Sequence, residues 1–214
     1  WETQIFSTYY GIYSFAVLGT DIYVAGSGLT SGYIQRYDTL TGIIWPLGVG
    51  LTLVPDDLGY CYAVAVVGTD VYVGGEFDDA GGVSVSNLAR WDTVGLTWNA
   101  VGTGANGIVY ALADNGGDLV IGGAFTQLGA VADTNKIGVW DGAIFSPLGT
   151  GRDGNVYSIL VPGTDVIAGG AFTGKISLWD GVTWTLLGGG ANNTVFGLGL
   201  YLTDIYAVGD FTDI

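Results

Sequence analysis

The sequence predicts an all-β fold of the β-propeller class, and three observations lead to it. A turn aspartate recurs at Asp21, Asp70, Asp118, Asp165 and Asp204, with spacings of 49, 48, 47 and 39 residues, the period of propeller blades. A glycine-containing doublet follows each aspartate at the same offset: Ala25-Gly26, Gly74-Gly75, Gly122-Gly123, Gly169-Gly170 and Val208-Gly209. The segments between turns are short, rich in Val, Ile, Tyr and Trp and bounded by Gly, Asp, Thr and Asn. None sustains a 3.6-residue apolar period, so strands and hairpins are expected and no helix.

Each repeat reads as four antiparallel strands. The first carries an aromatic eight residues before the aspartate: Tyr13, Tyr62, Tyr110, Tyr157 and Phe196. These rings are expected to pack between neighbouring sheets, because one blade cannot bury its face alone. The first hairpin turns on "GTD" or "GGD", where glycine supplies a positive φ. The second strand ends on the doublet, where backbone approaches closely. Phe77, Phe125, Phe172 and Phe211 follow in four repeats. The third strand ends in Tyr37-Asp38, Trp91-Asp92, Trp140-Asp141 or Trp179-Asp180, with the aspartate expected in a turn. The fourth runs into "WPLG", "WNAVG", "FSPLG" or "WTLLG". In the third repeat the strands are expected near 109–113, 118–125, 136–140 and 144–148.

The order of apolar strand, glycine doublet, aromatic and Trp resembles kelch-type repeats, most closely in "YIQRYDTLTGIIWPLG" (33–48) and "NLARWDTVGLTWNAVG" (87–102). The resemblance covers nearly the whole chain and implies a propeller of the kelch or galactose-oxidase central-domain type. Blade one departs from it, with Ala25 in place of the first glycine and no Phe. WD-repeat propellers carry a Gly-His pair in each blade, and this chain has no histidine. For the same reason the copper chemistry of the resembled oxidase is excluded.

The register gives one domain over residues 1–214: four full blades (about 12–48, 61–102, 108–149 and 155–188) and a partial fifth (194–214). Residues 1–6, "WETQIF", stand where a fourth strand would complete that blade. Two closures follow, a five-bladed ring or an arc of a larger one. The chain has no methionine, so it is expected to be a processed or partial piece of a longer product.

Composition narrows the function. Twenty Asp and Glu stand against five Lys and Arg, a net charge of −15. That leaves no basic footprint for nucleic acid and disfavours anionic membrane surfaces. No apolar run is long enough for a membrane helix. The single cysteine, Cys61, lies in "YCYAVAVV" and reads as a small buried hydrophobe. "GTGANG" (102–107) and "GTGRDG" (149–154) match G-x-G-x-x-G but lie between strands, so they read as turns rather than dinucleotide loops.

Length varies in the second-to-third strand loops (76–87 and 124–136, against a short 171–175) and in the connection 48–59. Variable loops on a rigid scaffold are where binding concentrates. Asp56, Asp57, Glu76, Asp78, Asp79, Asp133 and Asp153 gather on that face and form the candidate metal set, for Ca2+, since hard cations take clustered oxygens. The alternative is solvated charge that keeps an apolar chain soluble. "NNT" at 192–194 fits an N-glycosylation sequon.

No catalytic residues or organic cofactor are expected. The expected function is a non-catalytic binding or adhesion module, outside the cell or on a cell or virion surface, recognising a glycan or protein through the loop face. One alternative is a structural subunit joined to others through an open blade edge. The other is a carboxylate-based glycosidase, which requires two facing acids in a pocket at the ring axis.

Overall fold

The computed structural model describes residues 11–26, 33–53 and 57–214, and these contain strands and no helix. Blade one is β1 (Ile12–Leu18), β2 (Asp21–Gly26), β3 (Ile34–Asp38) and β4 (Ile44–Pro46) in sequential antiparallel order. After it come two short strands, β5 (Leu51–Leu53) and β6 (Asp57–Leu58). Blade two begins with β7 (Tyr60–Val67) and β8 (Asp70–Glu76), passes through β9 (Asp79–Ala80) and β10 (Val83–Ser84), and closes with β11 (Leu88–Asp92) and β12 (Thr97–Ala100). Blade three is β13 (Val109–Asn115), β14 (Asp118–Gly123), β15 (Ile137–Trp140) and β16 (Phe145–Pro147). Blade four is β17 (Val156–Leu160), β18 (Val166–Gly170), β19 (Ile176–Trp179) and β20 (Trp184–Leu186). The fifth sheet has β21 (Val195–Tyr201) and β22 (Asp204–Gly209). The fold is therefore the expected one: four complete blades and a two-stranded fifth.

The first strands sit side by side, β1 against β7, β7 against β13, β13 against β17 and β17 against β21. The recurring aromatics form one series along them. Successive ring centroids of Tyr13, Tyr62, Tyr110, Tyr157 and Phe196 lie 5.4, 5.4, 5.2 and 5.6 Å apart. A β-bulge places each ring. In blade three Val109 pairs with Gly123 and Ala111 with Gly122, leaving Tyr110 as the extra residue. The same shift skips Tyr13, Tyr62, Tyr157 and Phe196. A bulge re-aims one side chain without ending the strand.

The doublet serves both sides of this bulge. A Cβ on Gly122 would stand 2.7 Å from Val156 Cγ1 in the next blade, and one on Gly169 would stand 2.7 Å from Val195 Cγ1. A Cβ on Gly123 would collide with the Ile108 carbonyl oxygen on its own first strand. Gly26, Gly75, Gly170 and Gly209 meet the equivalent carbonyls, so the second position is glycine in all five repeats. At the first position blade one has Ala25, and the facing residue in blade two is Cys61 where later blades have Val. Both are fully buried in one core cluster, and burial pushes the Cys61 thiol far up from its ordinary range.

One feature of the sheets differs from expectation. The segments read as loops at 48–59 and 76–87 pair into a small separate sheet, in the order β10-β9-β5-β6. Gly81 and Gly82 at φ 61° and 89° make the tight β9–β10 turn, and Asp79 Oδ1 accepts the Gly82 N–H at 2.9 Å. The paired stretches are two and three residues long, too short for an alternating pattern to be legible. Residues 1–6, assigned to a fourth-strand position, lie outside the described residues.

Candidate functional site

The fourth-to-first connections run beside the second-to-third loops, as the repeat register implies. Arg152 N–H donates to Asn135 O at 2.8 Å, as Ala105 N–H does to Ser86 O and Ala191 N–H to Gly174 O. The next residue reaches the following loop. Asn106 Oδ1 accepts the Thr126 and Gln127 N–H groups, and Asn192 Oδ1 accepts those of Thr212 and Asp213. Asp153 takes this place in blade four, accepting the Thr173 N–H at 2.9 Å and the Thr173 hydroxyl. The Thr173 hydroxyl and amide hold its carboxyl below the usual carboxylate range. Asn192, the sequon asparagine, also donates its side-chain N–H to Thr212.

The acidic candidates are dispersed along this face. Asp56 lies outside the described residues, and Asp57 contributes its backbone to β6. Glu76 ends β8 and acts electrostatically on Tyr62 and Tyr110, whose hydroxyl pKa values rise through burial first and this charge second or later. Asp78 precedes the small hairpin and Asp79 begins it, and Asp79 also accepts from the Thr52 hydroxyl. Asp133 holds a left-handed turn at φ 61°. Asp153 belongs to the loop clamp. Among the described residues no three acids, cysteines or histidines come together as a metal site. The Trp-Asp and Tyr-Asp pairs are turn formers: Asp38, Asp92, Asp141 and Asp180 each accept two backbone N–H groups two and three residues ahead.

What the loop face does form is a cleft of about 770 Å³ between blades three and four. Its lining includes Asn135, Lys136, Thr150, Arg152, Asp153, Thr173, Ser177, Trp184 and Thr185. It opens because one loop is short. In blade two the β9–β10 hairpin lays Gly81 against Trp98, which is buried. In blade three the long loop 124–136 lays Gly129 against Phe145, also buried. Blade four has only Ala171–Lys175 in that place, and Trp184 stays partly exposed.

Arg152 is the central charge of the cleft. Its guanidinium stacks 4.2 Å from the Phe172 ring centroid and 4.9 Å from that of Trp184. Nη2 donates to Thr173 O at 3.2 Å and Ser177 Oγ at 3.1 Å, while Nε is buried without a partner. Burial lowers the guanidinium pKa and the neighbouring Asp153 raises it. Lys136 lines the same cleft, with its ammonium donating to Ala124 O at 2.8 Å. Arg36 and Arg90, by contrast, pair with the turn aspartates Asp21 and Asp70 at 3.5 and 3.0 Å.

From the sequence, Trp184 reads as blade packing and "GTGRDG" as a turn. Both hold locally, yet Arg152 and Trp184 also build the cleft. The signal that could have found them is the internal alignment, in which Arg152 stands where the neighbouring repeats have Ala105 and Ala191, beside the shortest loop.

No protein-family model matches the chain, and no curated protein sequence matches it. Solved structures share its fold. The extracellular domain of a putative one-component system from B. thetaiotaomicron matches with TM-score 0.63 and 10 % identity over 94 % of this chain and 26 % of that one. A nidogen/laminin complex structure matches with TM-score 0.65 and 14 % identity, covering 94 % and 72 %. The computationally designed protein Ika8 matches with TM-score 0.58 and 18 % identity, covering 92 % and 54 %. The chain thus spans about a quarter of the first of these and about half of the designed one.

Proposed function

We propose that this protein is a non-catalytic, extracellular or surface-displayed binding module with kelch-like blades, recognising a glycan or protein through its loop face. The observation that carries the reading is the cleft beside Arg152 and Trp184. Hydroxyl, amide and charged side chains there converge around a partly exposed indole in a concave site, and convergent polar groups in a cleft are what fix and orient a ligand. Extracellular domains among the structures of like fold support the setting, and a nidogen/laminin complex among them supports a binding role. The test is binding of the purified chain to a printed glycan array and to candidate surface proteins, repeated with Thr185→Arg, which fills the cleft. Binding lost in this variant, at an unchanged melting temperature, supports the reading. Binding that survives it places recognition elsewhere and overturns it.

A second reading, a subunit of a larger assembly, is favoured by β22. Among the described residues it pairs only with β21, and Tyr206 and Val208 are exposed. Beside it lies an apolar hollow of about 370 Å³ that includes Leu187, Gly188, Ile205 and Phe211. Leu187-Gly188 is the repeat equivalent of Leu47-Gly48 and Leu148-Gly149, which receive Trp98 and Trp184. The hollow resembles the seats that third and fourth strands take in the other blades, and in this reading a strand of a second copy occupies it. Sedimentation velocity across concentration tests it: association abolished by Tyr206→Lys supports the reading, and a monomer at all concentrations overturns it.

A further inference from the structure

We infer that the cleft between blades three and four takes a saccharide bearing a carboxylate, a sugar of the uronic-acid class, with the carboxylate on the Arg152 guanidinium. This rests on the loop-face binding reading above and names the ligand class for that site.

The repeats supply an internal control. Ala105, Arg152 and Ala191 make the same backbone hydrogen bond at the same point of three connections. Ala105 is buried and sufficient there, so the fold at this position needs only an alanine. The Arg152 side chain is an addition. It places a half-buried positive charge in a chain of net charge −15, and no salt bridge compensates it among the described residues. Asp153 is adjacent, but its carboxylate is held by Thr173. Withdrawing a charge from water is costly; Asp153 offsets part of that cost, and an incoming anion offsets more.

Geometry selects the anion. Phe172 and Trp184 fix the guanidinium plane, and Nη2 is anchored by Thr173 and Ser177. Nη1 donates to none of the described residues, so it is the donor left for a ligand. A carboxylate oxygen takes a charge-assisted hydrogen bond from Nη1, whose plane the two rings hold in place. A polyanion such as nucleic acid is opposed by the overall negative charge. The remaining walls select the body of the ligand. Asn135, Thr150 and Thr185 present hydroxyl and amide groups, and Trp184 presents part of an apolar ring. That combination complements the hydroxyls and C–H surface of a sugar ring, and the volume lies within the range of small-ligand sites.

Isothermal titration with digalacturonate, diglucuronate, their carboxyl-reduced counterparts and tetraglutamate tests the inference, on the intact chain and on Arg152→Ala, Arg152→Lys and Thr185→Arg. Alanine is the residue of the equivalent connections, so Arg152→Ala is expected to keep its fold, checked by its melting curve. A uronate disaccharide binds, and its affinity falls at least about tenfold in Arg152→Ala and on carboxyl reduction. Arg152→Lys weakens it by less, because the charge survives without the fixed plane that the two rings hold. Equal binding of reduced sugars, unaffected by Arg152→Ala but lost in Thr185→Arg, overturns the carboxylate inference and leaves the binding-module reading standing. Binding of tetraglutamate alone, dependent on Arg152, overturns the saccharide in favour of an acidic peptide. Uronate binding that ignores Thr185→Arg, or no binding by any probe, overturns the inference; the first also removes the loop-face reading.

Discussion

The Trp184 indole nitrogen donates to the Leu148 carbonyl oxygen at 3.0 Å, from the last strand of blade four to the end of blade three. Trp98 makes the same bond to Leu47 at 3.0 Å between blades two and one. Blade three has Phe145 at this position, which packs against Trp140 with centroids 4.6 Å apart but carries no N–H. Packing is therefore the shared requirement and the hydrogen bond an addition. Trp98→Phe is expected to cost about 1 kcal/mol and Trp98→Ala about 3–5 kcal/mol. Urea unfolding of the two variants measures the difference.

Gly123→Ala is expected to be among the most damaging small substitutions. Its Cβ would enter the Ile108 carbonyl, and backbone cannot yield as a side-chain tip can. A loss of roughly 3 kcal/mol is expected, at the upper end of overpacking effects. Gly199→Ala is the control. It lies in β21, where a Cβ would meet nothing within 4 Å and φ is not positive, so the substitution is expected to stabilise by about 0.5 kcal/mol. Thermal unfolding of both variants separates close approach from general glycine effects.

The turn aspartates set an acid limit. Backbone N–H groups, from Thr41 and Leu40 to Asp38, from Gly95 and Val94 to Asp92, from Ile144 and Ala143 to Asp141 and from Thr183 and Val182 to Asp180, hold these carboxyls below 3.8. A folded-state pKa below the unfolded one means stability that is fully present above the unfolded value and lost as pH falls through the folded value. Melting temperature is therefore expected to decline from just above pH 3.8 downward. The Asp92→Asn, Asp141→Asn, Asp180→Asn triple variant is expected to decline less steeply over that window.

Asp153→Asn is expected to be neutral, within about 0.5 kcal/mol, because Asn106 and Asn192 perform the same clamp. Asp153→Ala removes the acceptor of the Thr173 N–H and is expected to cost about 1 kcal/mol. Equilibrium unfolding near neutral pH compares them. A loss in Asp153→Asn as large as in the alanine variant would show that the charge, rather than the clamp, is what blade four requires.

The part of the fold legible along the chain is the part that repeats. Strand order, the hairpin turns, the Trp-Asp turns and the glycine doublet are each imposed by local backbone geometry, and the same constraint met in repeat after repeat leaves the same residue each time. The aromatic series was legible as packing, but its mechanism was not. Tyr110 is aimed by a bulge, and a bulge is a relation between two strands that one strand's pattern does not encode. The small sheet of β5, β6, β9 and β10 was not legible because its strands are two or three residues long and the pair that joins its halves links segments far apart in the chain, Thr52 to Asp79. The cleft was decided by tertiary structure alone. Arg152 and Trp184 each satisfy a repeat position, and nothing in their own segments marks them. They become a site because the short loop of blade four leaves uncovered what longer loops cover in blades two and three, and a loop's length in the chain does not say which side chains it covers.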